Sequence, residues 1–288
     1  MQSYSKEIKF DGIINCRDLG GYKAEGNRTV AWRRLFRSGY IHPMTEGDLR
    51  RLKEELKLTS VIDLRRNNAG QNKEVSLLNS AGIKYFNTPF LSYQKEELKL
   101  TSVIDLRRNK AGQNKEVNLL KIAGIKYYNT PFLSYQKEEL NYDFTSMGEA
   151  FLFRIRHKEY TKPLIDALEI IADPKNHPLL FHCGAGKDRS GLLAAFVLSV
   201  LGVADKDIVS DYALSVQYMP DMVKRLMQDP ETPDDVKNLP AYTWEATAAS
   251  MALFLSVLKQ EFGSARRYLE MNGADKSLFE RLEKALLI

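Results

Sequence analysis

One short stretch concentrates the groups able to do chemistry. In FHCGAGKDRSG, residues 181–191, Cys183 is followed by Gly184, Ala185, Gly186, Lys187, Asp188, Arg189 and Ser190. The short apolar run HPLLF ahead of it reads as a strand, and the apolar segment behind it as a helix beginning at about Ser190. Successive backbone N–H groups in such a strand-to-helix turn, added to the positive end of the helix, make a nest for a tetrahedral dianion. The same field lowers the pKa of a cysteine at the mouth of the turn and holds it as the nucleophilic thiolate. Arg189 supplies a planar fork for two phosphate oxygens, and Ser190 is placed to hydrogen-bond the sulfur and ease its departure. The chemistry these residues suit is phosphoryl transfer to and from sulfur. The nucleotide-binding pattern G-x-x-x-x-G-K-[ST] is absent from the stretch.

Positioning such a loop takes a sheet and a set of helices, and the rest of the chain supplies both patterns. MTEGDLRRLKEEL has Thr45 as N-cap with acidic residues in the first turn, and YTKPLIDALEIIAD has helical apolar spacing. SGLLAAFVLSVLGV is apolar nearly all round, which places it centrally. Three further segments, DKDIVSDYALSVQYM, AYTWEATAASMALFLSVLKQEF and DKSLFERLEKALLI, read as a helical cover toward the C-terminus. The expected fold is α/β, a mainly parallel central sheet flanked by helices, in a single domain over 1–288.

A tandem repeat interrupts this plan. Residues 53–94 recur at once as 95–136, the copies differing at five aligned positions: Asn68 against Lys110, Ser76 against Asn118, Asn79 against Lys121, Ser80 against Ile122 and Phe86 against Tyr128. Each copy reads as strand, helix, strand, with TSVIDL a buried strand, NKEVSLLNSAG a helix stopping at Gly82, and IKYFNTPF alternating before a proline. Two copies are too few for a solenoid, which needs about three units and caps. The reading is a duplication inside an ordinary domain, its surplus βαβ unit added at a sheet edge, extruded, or exchanged between two chains as a homo-oligomer.

Composition narrows the function. With 288 residues and 44% apolar content the chain can bury a sizeable core. Its 42 basic and 37 acidic residues leave +5, too mild and evenly spread for a nucleic-acid groove but compatible with a small anion. Two cysteines, Cys16 and Cys183, are too few for a disulfide scaffold and suit a reducing compartment. No signal-like or membrane-spanning run is present, so the expectation is a cytoplasmic protein with no integral membrane segment. His182 has no metal partner at useful spacing and reads as a hydrogen-bonding support for the loop; no cofactor or metal is expected.

Cys183 and Arg189 form a C-x5-R pattern, and HCGAGKDRSG resembles the extended loop of the bacterial tyrosine/serine protein phosphatases of dual or triple specificity. NCRDLGGY (residues 15–22), LFRSGYI (35–41) and VIDLR also resemble that family's segments, as do SDYALS (210–215) and the terminal YLEMNGADKSLFERL. The resemblance covers nearly the whole chain apart from one repeat copy. It implies a metal-free phosphomonoester hydrolase with Cys183 as nucleophile, Arg189 binding phosphate, and the amides of Gly184 through Arg189 cradling the transition state. It makes Asp188 a candidate general acid, with Asp63 or Asp105 of the VIDLR segments as the other candidate. Lys187 is read as added positive potential for a second anionic group. Arg17 and Asp18 are read as a structural ion pair in a tight turn, with direct substrate contact the alternative. Phosphotyrosine in proteins is the first substrate class, phosphoserine or phosphothreonine and phosphoinositides the others. A sulfurtransferase and an inactive phospho-binding module stand behind these; sulfurtransferase loops commonly carry an arginine where Gly184 stands.

Overall fold

The computed structural model describes residues 5–39, 45–57, 60–63, 84–87, 102–105, 126–129, 143–183, 185–228 and 237–288. Three strands form one sheet: β1 (Arg17–Asp18), β2 (Leu35–Ser38) and β7 (Leu179–His182), with β1 antiparallel to β2 and β2 parallel to β7. In that sheet Arg17 stands opposite Arg37, and Arg37 opposite Phe181.

The repeat contributes four more strands, β3 (Ser60–Asp63), β4 (Lys84–Asn87), β5 (Ser102–Asp105) and β6 (Lys126–Asn129). They pair in parallel as β3–β4 and β5–β6 with the same register in each copy, Val61 opposite Tyr85 and Val103 opposite Tyr127. The expected strands of the repeat are therefore present, while its expected helices and Gly82 lie outside the described residues. The first copy's β3 runs close beside β7, and β5 approaches β3. Among the described residues the strands make a three-stranded sheet and two pairs instead of one continuous sheet.

Helices dominate the remainder. α1 (Glu46–Glu54) starts with a capping box in which Asp48 N–H donates to Thr45 Oγ1 at 3.0 Å and Thr45 N–H donates to Asp48 Oδ2 at 3.0 Å, so the expected N-cap holds. α2 (Met147–Ile155) and α3 (Lys158–Ala172) precede β7; α4 (Asp188–Val200) follows it. α5 (Asp205–Ala213), α6 (Met219–Gln228), α7 (Ala248–Phe262), α8 (Ala265–Met271) and α9 (Lys276–Leu286) complete the cover.

α4 is the axis of the core. From Ser190 to Leu198 every residue is buried, as an all-round apolar helix requires. Phe196 meets Phe254 of α7 edge-on, and Phe151 of α2 meets both Phe254 and Tyr212 of α5 in the same way. α7 packs on α2 and α5, and α9 on α3. This cluster holds the start of α4, and with it the glycine-rich loop, against a close-packed background.

Candidate active site

β7 delivers the loop. Its four residues are buried, and Cys183, buried and a free thiol, follows directly. Gly184 lies outside the described residues. Gly186 takes φ +66°, a left-handed conformation that favours glycine, and packs tightly on the backbone of Ser38 and Gly39 at the end of β2. α4 begins at Asp188, two residues ahead of the expected Ser190, because the Gly191 N–H already closes a turn on the Lys187 carbonyl at 2.6 Å. Arg189 and Ser190 therefore stand in its first turn, Arg189 half-buried and Ser190 buried. Ser190 Oγ has no hydrogen-bond partner among the described residues.

Lys187 is not a solvated charge. It is fully buried, its ammonium donates to the carbonyls of Thr243 at 2.8 Å and Glu245 at 2.7 Å, and it lies 2.7 Å from Asp188 Oδ1. Its two hydrogen bonds thereby tie the loop to the short 3-10 helix Ala241–Trp244, with Asp188 as the ammonium's ion-pair partner. The Asp188 side chain keeps 30% exposure at the loop's rim. Asp63 and Asp105 close β3 and β5, and β3 is the strand beside β7. His182 is wholly buried at the end of β7.

The expected Arg17–Asp18 ion pair is not formed. Neighbouring residues of a strand point to opposite faces, and β1 separates these two accordingly. Asp18 accepts from the Gly20 and Arg33 N–H groups, both at 2.8 Å, closing the RDLGG turn. Arg17 turns inward and pairs with Asp211 of α5, its Nε 3.0 Å from Oδ1. Arg37 Nη1 reaches the other carboxylate oxygen at 2.8 Å, and Tyr22 Oη donates to Oδ1 at 3.1 Å. Burial alone would raise the Asp211 carboxyl, but Arg17 and Arg37 outweigh it and hold the group below the usual carboxylate range.

This buried cluster touches the loop. Arg37 Nη2 donates to the Gly186 carbonyl at 2.7 Å and approaches that of Lys187 at 3.4 Å. Asn15 Nδ2 donates to the Ala185 carbonyl at 2.9 Å and to that of Gly186 at 3.2 Å, and Arg17 Nη1 holds Asn15 Oδ1 from behind. Asn15, Arg37 and Asp211 all sit in the NCRDLGGY, LFRSGYI and SDYALS segments, yet the sequence reading gave them no role. A usable signal was there: Arg37 follows Leu35 and Phe36 in an apolar strand, and a buried arginine demands a carboxylate elsewhere.

Cys16, between Asn15 and Arg17, is buried, and burial pushes its thiol up to about 12. It is a core residue.

The model of the tyrosine phosphatase family matches residues 8–97 and, separately, residues 92–288. The two matches meet where the first repeat copy passes into the second, as a doubled segment in one family domain would give. A tyrosine-protein phosphatase of Nostoc commune is 28% identical over 153 residues, covering 49% of each chain. The triple specificity protein phosphatase PtpB of Mycobacterium tuberculosis is 31% identical over 121 residues, 38% of this chain and 44% of that one. The chain thus spans about half the length of these relatives. Among solved structures, the core catalytic domain of the PP-IP phosphatase SIW14 from S. cerevisiae is 18% identical and covers 72% of this chain and 78% of that one, at a TM-score of 0.33.

Proposed function

The chain belongs to the tyrosine phosphatase family, and on that premise we propose that it hydrolyses phosphomonoesters through a phosphocysteine intermediate, with phosphotyrosine in proteins as its first substrate class and phosphoserine or phosphothreonine as further ones. The observation that carries the proposal is the placement of Cys183 at the end of a buried strand, one loop ahead of the α4 N-terminus, with the loop carbonyls taken by Asn15 and Arg37. An anion nest needs its amides unspent, and among the described residues no bond is donated by those of Gly186, Lys187 and Asp188.

In the proposed reaction the Cys183 thiolate attacks phosphorus in line with the ester oxygen. The S–P bond forms as the P–O bond breaks, and the leaving oxygen takes a proton from a carboxylic acid. Asp188, at the loop's rim, is our first assignment for that acid; Asp63 or Asp105 is the second. Arg189 holds two equatorial oxygens in its fork while the loop amides face the third. Water then attacks phosphorus while giving a proton to the carboxylate left by the first step, the S–P bond breaks, and phosphate leaves with the thiolate and the carboxylic acid both restored. Ser190, its hydroxyl unspent, is assigned to the departing sulfur.

Between protein and lipid substrates, one feature favours protein. Lys187, the residue that suggested a second anionic group on the substrate, has its ammonium committed to Thr243, Glu245 and Asp188, so we assign it to holding the loop. Phosphoinositide hydrolysis stays the second reading. Phosphate release from a phosphotyrosyl peptide and from a short-chain phosphoinositide, each against Cys183→Ser, separates the two; no release from either overturns the phosphatase proposal.

We further infer that β3 continues the β1–β2–β7 sheet, which its position beside β7 supports, and that the enzyme works in the cytoplasm, which its two free cysteines suit. No helix among the described residues is long and apolar enough to cross a membrane.

A further inference from the structure

A planar trans peptide directs its C=O and its following N–H to opposite sides. In the loop, the carbonyls of Ala185 and Gly186 accept from Asn15 Nδ2, that of Gly186 also accepts from Arg37 Nη2, and that of Lys187 is used by Gly191 N–H and approached by Arg37. Three consecutive carbonyls are thereby held on one side. The three amides that follow them, at Gly186, Lys187 and Asp188, must face the other.

The donors are themselves fixed. Arg37 is fully buried and uses one Nη on Asp211 and the other on the loop, a two-ended task that suits a rigid guanidinium. Asn15 is turned by Arg17, which is held by the same Asp211 and by Ser215. Burial and the nearby Arg17 pull the Arg37 guanidinium down to about 10, against Asp211 and Cys183, which raise it; it stays charged at neutral pH with the sulfur inside its field. The charged groups gathered around the loop are Arg17 from β1, Arg37 from β2 and Asp211 from α5, with Lys187, Asp188 and Arg189 of the loop itself and His182 before it.

We infer that Arg37 and Asn15 are positioning residues for the phosphoryl-transfer step, which hold the loop carbonyls inward so that its amides meet the phosphate, with Asp211 as their common anchor. The inference rests on the anion-loop reading of residues 183–189. Two arms do different work: Arg37 contributes both direction and positive charge, Asn15 direction alone.

The test compares wild type with Arg37→Met, Arg37→Lys and Asn15→Gly, glycine being chosen because residue 15 has φ +53°. Three quantities are read: kcat and KM on p-nitrophenyl phosphate, the rate of Cys183 inactivation by iodoacetate at neutral pH, and protection from iodoacetate by inorganic phosphate. For Arg37→Met the expected result is a kcat loss of about 100-fold, phosphate protection weakened about tenfold, and slower alkylation. Arg37→Lys should restore the alkylation rate while recovering only part of kcat. Asn15→Gly should lower kcat and phosphate protection about tenfold and leave the alkylation rate in place. A folded Arg37→Met or Asn15→Gly protein with kcat and phosphate protection within twofold of wild type overturns the inference. So does a loss of activity in Asn15→Gly that only follows the loss of folded protein by circular dichroism. If Arg37→Met does not fold, Asn15→Gly decides. Wild type that fails to hydrolyse any phosphomonoester defeats the phosphatase proposal, while phosphate protection and the alkylation rate still test the hold of Arg37 and Asn15 on the loop.

Discussion

Gly186 rests directly on Gly39: a Cβ on Gly186 would lie 2.4 Å from the Gly39 nitrogen and 2.5 Å from the Ser38 carbonyl oxygen. Both obstacles are backbone at the end of β2 and cannot swing aside. Gly186→Ala must therefore lift the loop off β2, and it also strains a residue held at φ +66°. The expected outcome is a stability loss of about 1–3 kcal/mol and a kcat loss on the order of 100-fold. Urea unfolding and p-nitrophenyl phosphate kinetics check it; activity within threefold of wild type would show that the loop does not need this seat.

Cys183→Ser should remove turnover by more than about 100-fold while vanadate or phosphate still binds, because the nest is made of backbone. Titration of vanadate by intrinsic fluorescence reads binding independently of rate. A variant that keeps more than a hundredth of the activity rules out Cys183 as nucleophile.

Lys187→Met leaves the Thr243 and Glu245 carbonyls without their donor and Asp188 without its cation. An exposed lysine changed to methionine shifts stability by about 0.5 kcal/mol or less. Here the expected loss is about 1–3 kcal/mol, from one buried acceptor at Thr243 and one part-buried at Glu245 left without their donor. Denaturant midpoints measure it, and a change under about 0.5 kcal/mol would mean that the ammonium does not hold the loop to the Ala241–Trp244 turn.

These residues also show what a sequence can and cannot tell. The strand that ends before Cys183 and the central helix behind Arg189 were legible because short and all-round apolar runs have local causes. The same local logic found Thr45 as a cap. The partners of Lys187 were not legible because burial is not local: its ammonium donates to two carbonyls more than fifty residues away. Arg17 was paired with Asp18 for the same reason. Adjacency in sequence suggested the partner, whereas the alternation of a strand sent the side chains apart and left Asp211, 194 residues on, to meet the arginine. Partners chosen by the fold leave at most a hint in sequence, such as a charge inside an apolar strand.

Cys16 bears on oxidation. Mild peroxide should inactivate the enzyme reversibly by taking the Cys183 thiolate to the sulfenic acid. A resolving thiol attacks as thiolate, and burial holds Cys16 up near 12, so at neutral pH it stays protonated. The sign for stability follows. The folded pKa lies above the unfolded value, so the contribution is present at neutral pH and is lost as pH rises from about 8.5 toward 12. Recovery by dithiothreitol should be the same in Cys16→Ser as in wild type, and intact-mass analysis should show no Cys16–Cys183 disulfide. A disulfide formed in the folded protein would overturn this assignment.

The repeat poses the last test. Two segments of sequence SVID, each paired in parallel with its own partner strand in the same register, carry equal local preference for a buried slot, and the first copy's β3 takes the place beside β7. Local propensity cannot choose between identical strands, so connectivity must, and the loss of either copy should leave the slot filled. Deleting residues 95–136 joins Gln94 to Lys137, and deleting 53–94 joins Leu52 to Lys95; both restore a KEEL junction and differ only at the five positions where the copies differ. Because loop closure grows only slowly with length, neither product gains or loses much in chain entropy, about 0.6 kcal/mol for a doubling. Both deletion variants should therefore fold and hydrolyse p-nitrophenyl phosphate with kcat within about threefold of the full chain, since β2, β7 and the Asp211 cluster lie outside the repeat. Light scattering on the full chain and on each variant reads whether the surplus copy mediates self-association. If either deletion abolishes folding, the two copies are integral to one larger sheet, and the single-slot account of β3 fails.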